Sequence, residues 1–171
     1  MINEKVAKLM NEQINKELYS AYLYLDMANY YIDKGLDGFA NWFKVQAQEE
    51  RDHAMLFMQY MQNNQEKVTL EAIQAPDVKF DSFASPLNEA LKHEQYVTAS
   101  INNIYAAAYE IKDFRAMQFL DWFIMEQGEE EKNADDLITK YNLFGTDSKG
   151  LYMLNSEMGT RVYSPPSLVL D

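Results

Sequence analysis

The chain has 171 residues, enough to bury the core of one domain, and 47% hydrophobic with 25% charged residues describes a folded protein rather than a disordered one. Its 27 acidic against 15 basic residues, a net charge of -12, exclude the basic surface that nucleic acid requires and favour attraction of cations. Cysteine is absent, which excludes disulfides, thiolate zinc sites and thiol catalysis.

Only 6 Gly and 4 Pro interrupt a chain rich in helix-forming residues, so long helices are expected. Met1 to Lys5 run straight into an amphipathic pattern without a basic-then-apolar leader. No apolar run is long enough to span a bilayer, so no membrane partner and a cytoplasmic location are expected. The first helix is predicted over 3–34, with Met10, Ile14, Ala21, Tyr24, Ala28 and Ile32 as its apolar stripe and Gly35 past its end. The second is predicted over 38–64, with Phe39, Phe43, Phe57 and Tyr60 on one face. The short turn between them makes them antiparallel neighbours. Gln65 to Ser85, with Thr69, Pro76 and Asp77, breaks the period and reads as a long crossover along the bundle. The third helix is predicted over 86–111, with Ser85 as N-cap and Pro86 at its first position. A fourth follows over 113–143, then a short fifth over 147–158 and an irregular tail over 159–171 that holds Pro165-Pro166. The expectation is a single domain spanning 1–171. It is all-α: a four-helix bundle of two antiparallel hairpins joined by a long crossover, plus a short fifth helix.

The informative feature is what interrupts each apolar stripe. On the third helix the inward row reads Leu87, Ala90, Glu94, Val97, Ile101, Ile104, Ala108, Ile111. On the fourth it reads Ala116, Leu120, Phe123, Gln127, Glu130, Ala134, Leu137, Tyr141. Glu17 breaks the first stripe, and Gln46, Glu50 and His53 break the second. One buried carboxylate can be a tolerated acid with one partner. Acids converging from four helices would raise one another's pKa, and an uncompensated buried charge costs about 3–5 kcal/mol. No Lys or Arg lies on these rows near the acids, so a metal is the natural compensator.

The spacing joins the interruptions into one site. Glu17 to Glu50 is 33 positions, and so is Glu94 to Gln127. A shift of 77 carries Glu17 onto Glu94, Glu50 onto Gln127 and His53 onto Glu130, and also Glu49 onto Glu126 and Asp52 onto Glu129. Glu50 and His53 are three apart and leave one helix face together. Oxygen-rich ligation with one imidazole suits iron or manganese, and zinc would also bind. Tyr24 lies two turns after Glu17 on the same face, and Trp122 sits near the same level; both are also ordinary core aromatics. His93 points about 100° away from Glu94 and reads as a surface residue. The 10 Met read as core filler.

At these residues the sequence resembles a ferritin of the bacterial non-haem kind, over essentially its whole length. Only one Glu-x-x-His is intact, Glu50-Arg51-Asp52-His53; its counterpart reads Gln127-Gly128-Glu129-Glu130. Bacterioferritins and rubrerythrin-like proteins keep a second Glu-x-x-His, and bacterioferritins place a haem-ligating Met where Arg51 stands, so the resemblance implies no haem. It implies that Glu17, Glu50 and His53 hold one iron, and that bridging Glu50 with Glu94 and Glu130 holds a second, with Gln127 close by. It further implies a third iron site matching Glu49, Glu126, Glu129 and Glu130, and a hydrogen-bond or electron-donor role for Tyr24. The activity implied is that of a ferroxidase. Fe(II) is oxidised by O2 (or H2O2) and stored as a ferric oxy-hydroxide mineral in a hollow homo-oligomeric shell of 24 subunits, the fifth helix lining its four-fold channels. The reductant that releases the iron is left unspecified. The residues alone leave three alternatives open: a di-iron oxidase or peroxidase that stores no mineral, a helical interaction module, and native zinc or manganese binding.

Overall fold

The computed structural model describes residues 2–170; Met1 and Asp171, which belong to the expected domain span, lie outside the described residues. Five helices make up the regular structure: α1 (Glu4–Asp33), α2 (Asp37–Asn63), α3 (Ser85–Glu110), α4 (Phe114–Phe144) and α5 (Ser148–Met158). No described residue lies in a strand. Asn3 accepts from Lys5 N at 2.9 Å, Asp113 from Ala116 N at 3.1 Å, and Asp147 from Lys149 N and Gly150 N, so three helix starts carry a side-chain cap. Ser85 departs from the expected role. It is the first residue of α3, and its hydroxyl accepts from Asp81 N and Ser82 N, which ties the end of the crossover rather than capping the helix.

α1 ends where Gly35 takes φ +74, a left-handed conformation that glycine adopts without a Cβ penalty. The chain then reverses, and α2 packs along α1. After α2 the crossover follows α1 back. Ile2 N donates to Glu66, Asn11 exchanges hydrogen bonds with Thr69, and Asn15 Nδ2 donates to Ala72 O at 3.2 Å. At the far end Tyr31 OH donates to Phe83 O at 2.6 Å. α3 therefore starts beside the end of α1 and runs antiparallel to it, and α4 packs back along α3.

The core falls into two apolar clusters. One holds Met10, Ile14, Phe57, Met61, Val97, Ile101, Leu120 and Phe123; the other holds Tyr24, Met27, Tyr31, Phe39, Phe43, Leu87 and Leu137. The expected inward rows are buried through their middles except at Ala21, which is half-buried where α1 borders a surface pocket. Their ends differ: Ile32 is 43% exposed because Tyr31, fully buried, takes the inward place near the end of α1, and Ile111, 43% exposed, stands at the C-cap after the last helical residue of α3.

α5 docks against the start of α2. Asn155 Oδ1 accepts from Gly38 N (2.9 Å) and Phe39 N (3.2 Å), satisfying two of the free N–H groups of that helix start. A Cβ on Gly38 would stand 1.7 Å from Asn155 O. Gly38→Ala is therefore expected to push α5 off and cost about 2–3 kcal/mol, read as a lower denaturant midpoint and faster proteolysis at the α4–α5 turn.

Candidate metal centre

Between the two apolar clusters lies a polar layer. The buried polar residues among those described are Gln13, Glu17, Ser20, Gln46, Glu50, His53, His93, Glu94, Gln127 and Glu130. Each expected central acid is in this set, at 1% exposure for Glu17 and Glu50, 2% for Glu94 and 4% for Glu130. The helices deliver them because each acid sits mid-length on a stripe that is apolar on both sides.

Amide side chains hold the acids in place. Gln13 Nε2 donates to Glu17 Oε1 at 2.8 Å, and Gln46 Nε2 donates to Glu50 Oε1 (3.1 Å) and Glu130 Oε2 (2.8 Å). Gln127 Nε2 donates to Glu94 Oε2 at 3.1 Å, and Tyr24 OH donates to Glu94 Oε1. What remains is telling. Glu17 Oε2, Glu50 Oε2 and His53 Nδ1 are buried without a hydrogen-bond partner, as is Gln46 Oε1. His53 Nδ1 and Glu50 Oε2 stand 3.7 Å apart. Buried polar atoms are normally satisfied, so three orphans on neighbouring side chains mark a place for an electropositive ligand.

Donor atoms of Glu17, Glu50 and His53 lie within 4.8 Å of one another, and so do donor atoms of His53, Glu126 and Glu130. Glu94 is in neither group; its oxygens are engaged by Tyr24 and Gln127. Glu49, Glu126, Glu129 and Glu130 line one cleft of about 290 Å³, with His53 at its inner end and Trp122 in its wall. Glu129 is exposed, whereas Glu49 and Glu126 are partly buried.

The electrostatics are those of an uncompensated cluster. Burial, with mutual repulsion, pushes Glu17, Glu50, Glu94 and Glu130 each up to about 8 from 4.5. Glu50 adds to the repulsion at Glu17 and Glu94. Burial also raises Glu49, against the opposing pull of Arg161, and raises Glu126. No ion pair among the described residues joins a Lys or Arg to the four central acids. Tyr24 is held well above its ordinary value, by burial first and then by Glu94.

Tyr24→Phe removes the donor that favours ionised Glu94. Glu94 should then hold its proton to higher pH, and metal affinity at pH 7 should fall about tenfold. Zn(II) titrations at several pH values check this, with the deficit shrinking as pH rises.

Some residues of the layer were not expected there. His93 is buried at 8% exposure rather than on the surface. Its Nε2 lies 2.7 Å from Ser20 Oγ, its ring meets Tyr19 and Tyr24, and burial lowers its pKa to about 4. Because α3 packs on both α1 and α4, its buried face is wide enough to include His93 beside Glu94. Gln13 carried a readable signal: it precedes Glu17 by four, as Gln46 precedes Glu50, and the two Gln are again 33 apart. Arg161, which pairs with Glu49 at 2.5 Å, carried none.

Comparison with known proteins gives the family of the chain. Residues 7–144 match the ferritin-like domain family. A probable bacterial non-heme ferritin-like protein of Haemophilus influenzae is 35% identical over 159 residues, 93% of this chain and 96% of its own. The bacterial non-heme ferritin of Campylobacter jejuni is 36% identical over 153 residues, covering 90% and 92%. An open pore ferritin from the hyperthermophilic archaeon Archaeoglobus fulgidus superposes with a TM-score of 0.92 at 40% identity, covering 95% of this chain and 100% of that one. Matched over most of its length in family, sequence and fold, the chain belongs to the ferritin-like family.

Proposed function

We propose that the protein stores iron and acts as a ferroxidase, taking Fe(II) as substrate and O2 (or H2O2) as acceptor. One observation carries the reading. Four buried carboxylates and His53 converge between two apolar clusters with no cationic side chain, leaving Glu17 Oε2, Glu50 Oε2 and His53 Nδ1 orphaned. The names of the ferritin relatives support it.

In this reading Glu17, Glu50 and His53 hold one iron, and Glu50, Glu94 and Glu130 the second, with Gln127 and Tyr24 fixing the orientation of Glu94. The two irons supply electrons to the oxidant, and negative oxygen ligands favour Fe(III) over Fe(II). The protein's own part is to hold two metals at a set separation, to give up the protons the acids carry when metal-free, and to keep the site enclosed. Glu49, Glu126, Glu129 and Glu130 form a third iron position at the outer cleft. Fe(III) leaves as a ferric oxy-hydroxide mineral in the cavity of a 24-subunit shell in the cytoplasm, without haem, nucleic acid or membrane, and an external reductant releases it. No described helix is long and apolar enough to cross a membrane.

The test is direct. Anaerobic Fe(II) is mixed with the protein and exposed to air, and particles are imaged before and after. Oxidation faster than in buffer, in hollow particles that fill, is the expected result. Fast oxidation in a small, unfilled oligomer would instead identify a non-storing oxidase.

A further inference from the structure

The segment after α5 crosses the mouth of the outer cleft and is tied along α2. Asn41 Nδ2 donates to Arg161 O (3.0 Å), Arg161 Nη2 to Glu49 Oε2 (2.5 Å), Tyr163 OH to Asp52 Oδ2 (2.6 Å), and Gln59 Nε2 to Leu170 O (2.9 Å). The segment therefore runs parallel to α2, with Ser164, Pro165, Pro166 and Ser167 lining the cleft. Both tryptophans of the chain touch it. Arg161 stacks over Trp42, its Cζ 4.1 Å from the ring centroid, and Trp122 Nε1 donates to Ser167 Oγ at 2.8 Å. Trp122 also packs edge-on to His53.

Glu49 is the cleft acid that an arginine holds among the described residues. Behind it His53, Glu126 and Glu130 offer donor atoms within 4.8 Å of one another. Glu49 precedes His53 by one helical turn, so its carboxylate is on the correct face to join that group. A cation in the cleft and the Arg161 guanidinium thus compete for one carboxylate.

We propose that Arg161 is a displaceable internal counter-ion for Glu49, and that residues 161–167 form a strap which a cation in the outer cleft loosens by taking Glu49 from it. The inference rests on the proposed reading of this cleft as a cation site. Two ligands competing for one group are coupled reciprocally. Removing Arg161 strengthens cation binding in the cleft, and a bound cation frees the strap. The way between the buried centre and solvent opens with loading.

The experiment uses the whole chain and Zn(II), a redox-inert probe, followed by equilibrium titration, tryptophan emission and amide exchange of 161–167. Once the tighter equivalents are filled, further Zn(II) should shift the emission and speed exchange in the strap. Arg161→Ala should bind that last class about fivefold more tightly. Tyr163→Phe, which leaves Arg161 and Glu49 in place but frees the strap from Asp52, should move the affinity less in the same direction, and it stands in if Arg161→Ala folds poorly. A weak class that Glu126→Ala removes, but that both strap variants and strap exchange ignore, overturns the strap and leaves the cleft a cation site. If none of these proteins shows such a class, the cation reading of the cleft and the strap fall together.

Discussion

Glu50→Ala is expected to bring Fe(II) oxidation down to the rate in protein-free buffer, a loss of at least about a hundredfold. Glu50 is the centre of the cluster. Its Oε1 is fixed by Gln46, and its Oε2 is the orphan 3.7 Å from His53 Nδ1. It is also the side chain that the proposed reading gives to both irons, so its loss damages two positions at once. The same residue destabilises the metal-free protein, because it raises the pKa of both Glu17 and Glu94. Glu50→Gln keeps the shape and the acceptor for Gln46 while removing the charge. It should raise the melting temperature of metal-free protein above pH 8, where the neighbouring acids are ionised. Stopped-flow absorbance of Fe(III) and calorimetric melting check the two arms. Unchanged oxidation with Glu50→Ala would sink the site assignment. A lower melting temperature with Glu50→Gln would mean that Glu50 is a structural acid, compensated within the metal-free fold.

How much of this was legible in the sequence follows from range. Glu17, Glu94 and Glu130 could be read because helical period tells which side chains face inward, and an acid in an apolar row is conspicuous. The fold was legible for the same reason, since stripe lengths and turn lengths dictate two antiparallel hairpins. His93 was misread because the period gives the centre of a buried face and not its width, which depends on how many helices pack on it. Ile32 and Ile111 failed at the other margin, where Tyr31 takes the inward place at the end of α1 and where α3 has already ended at Glu110. Ser85 looked like a cap by type and position, but its hydroxyl is taken by the crossover at Asp81 and Ser82. Arg161 was beyond reach. Its partner Glu49 is on another element, and an irregular segment has no period from which to infer what it faces.

Melting of the metal-free protein should run opposite to ordinary acid denaturation. Each of the four central acids sits near 8 in the fold, against 4.5 for the free group. Between those values the folded protein binds more protons than the unfolded chain, so stability falls as pH rises. The contribution is fully present below pH 4.5 and lost as pH passes 8. Burial lowers His93 to about 4 from 6.5, which acts in the opposite sense, but that contribution is largely complete near pH 6.5 and the cluster governs the rest of the window from pH 6 to 9. Across it the melting temperature of metal-free protein should drop by at least about 5 °C. Metal reverses the sign. A bound cation needs ionised carboxylates, so loading at pH 7 must expel the protons the acids hold, about two or more per subunit. Zn(II) calorimetry in buffers of different ionisation enthalpy counts them. Affinity should climb with pH and level off above 8. A flat melting curve from pH 6 to 9, together with Zn(II) binding that releases no protons, would mean the acids are already ionised and compensated within the fold. The orphaned atoms of Glu17, Glu50 and His53 argue against that, because an ionised carboxylate buried with an unpaired oxygen is the arrangement a protein without a metal would avoid.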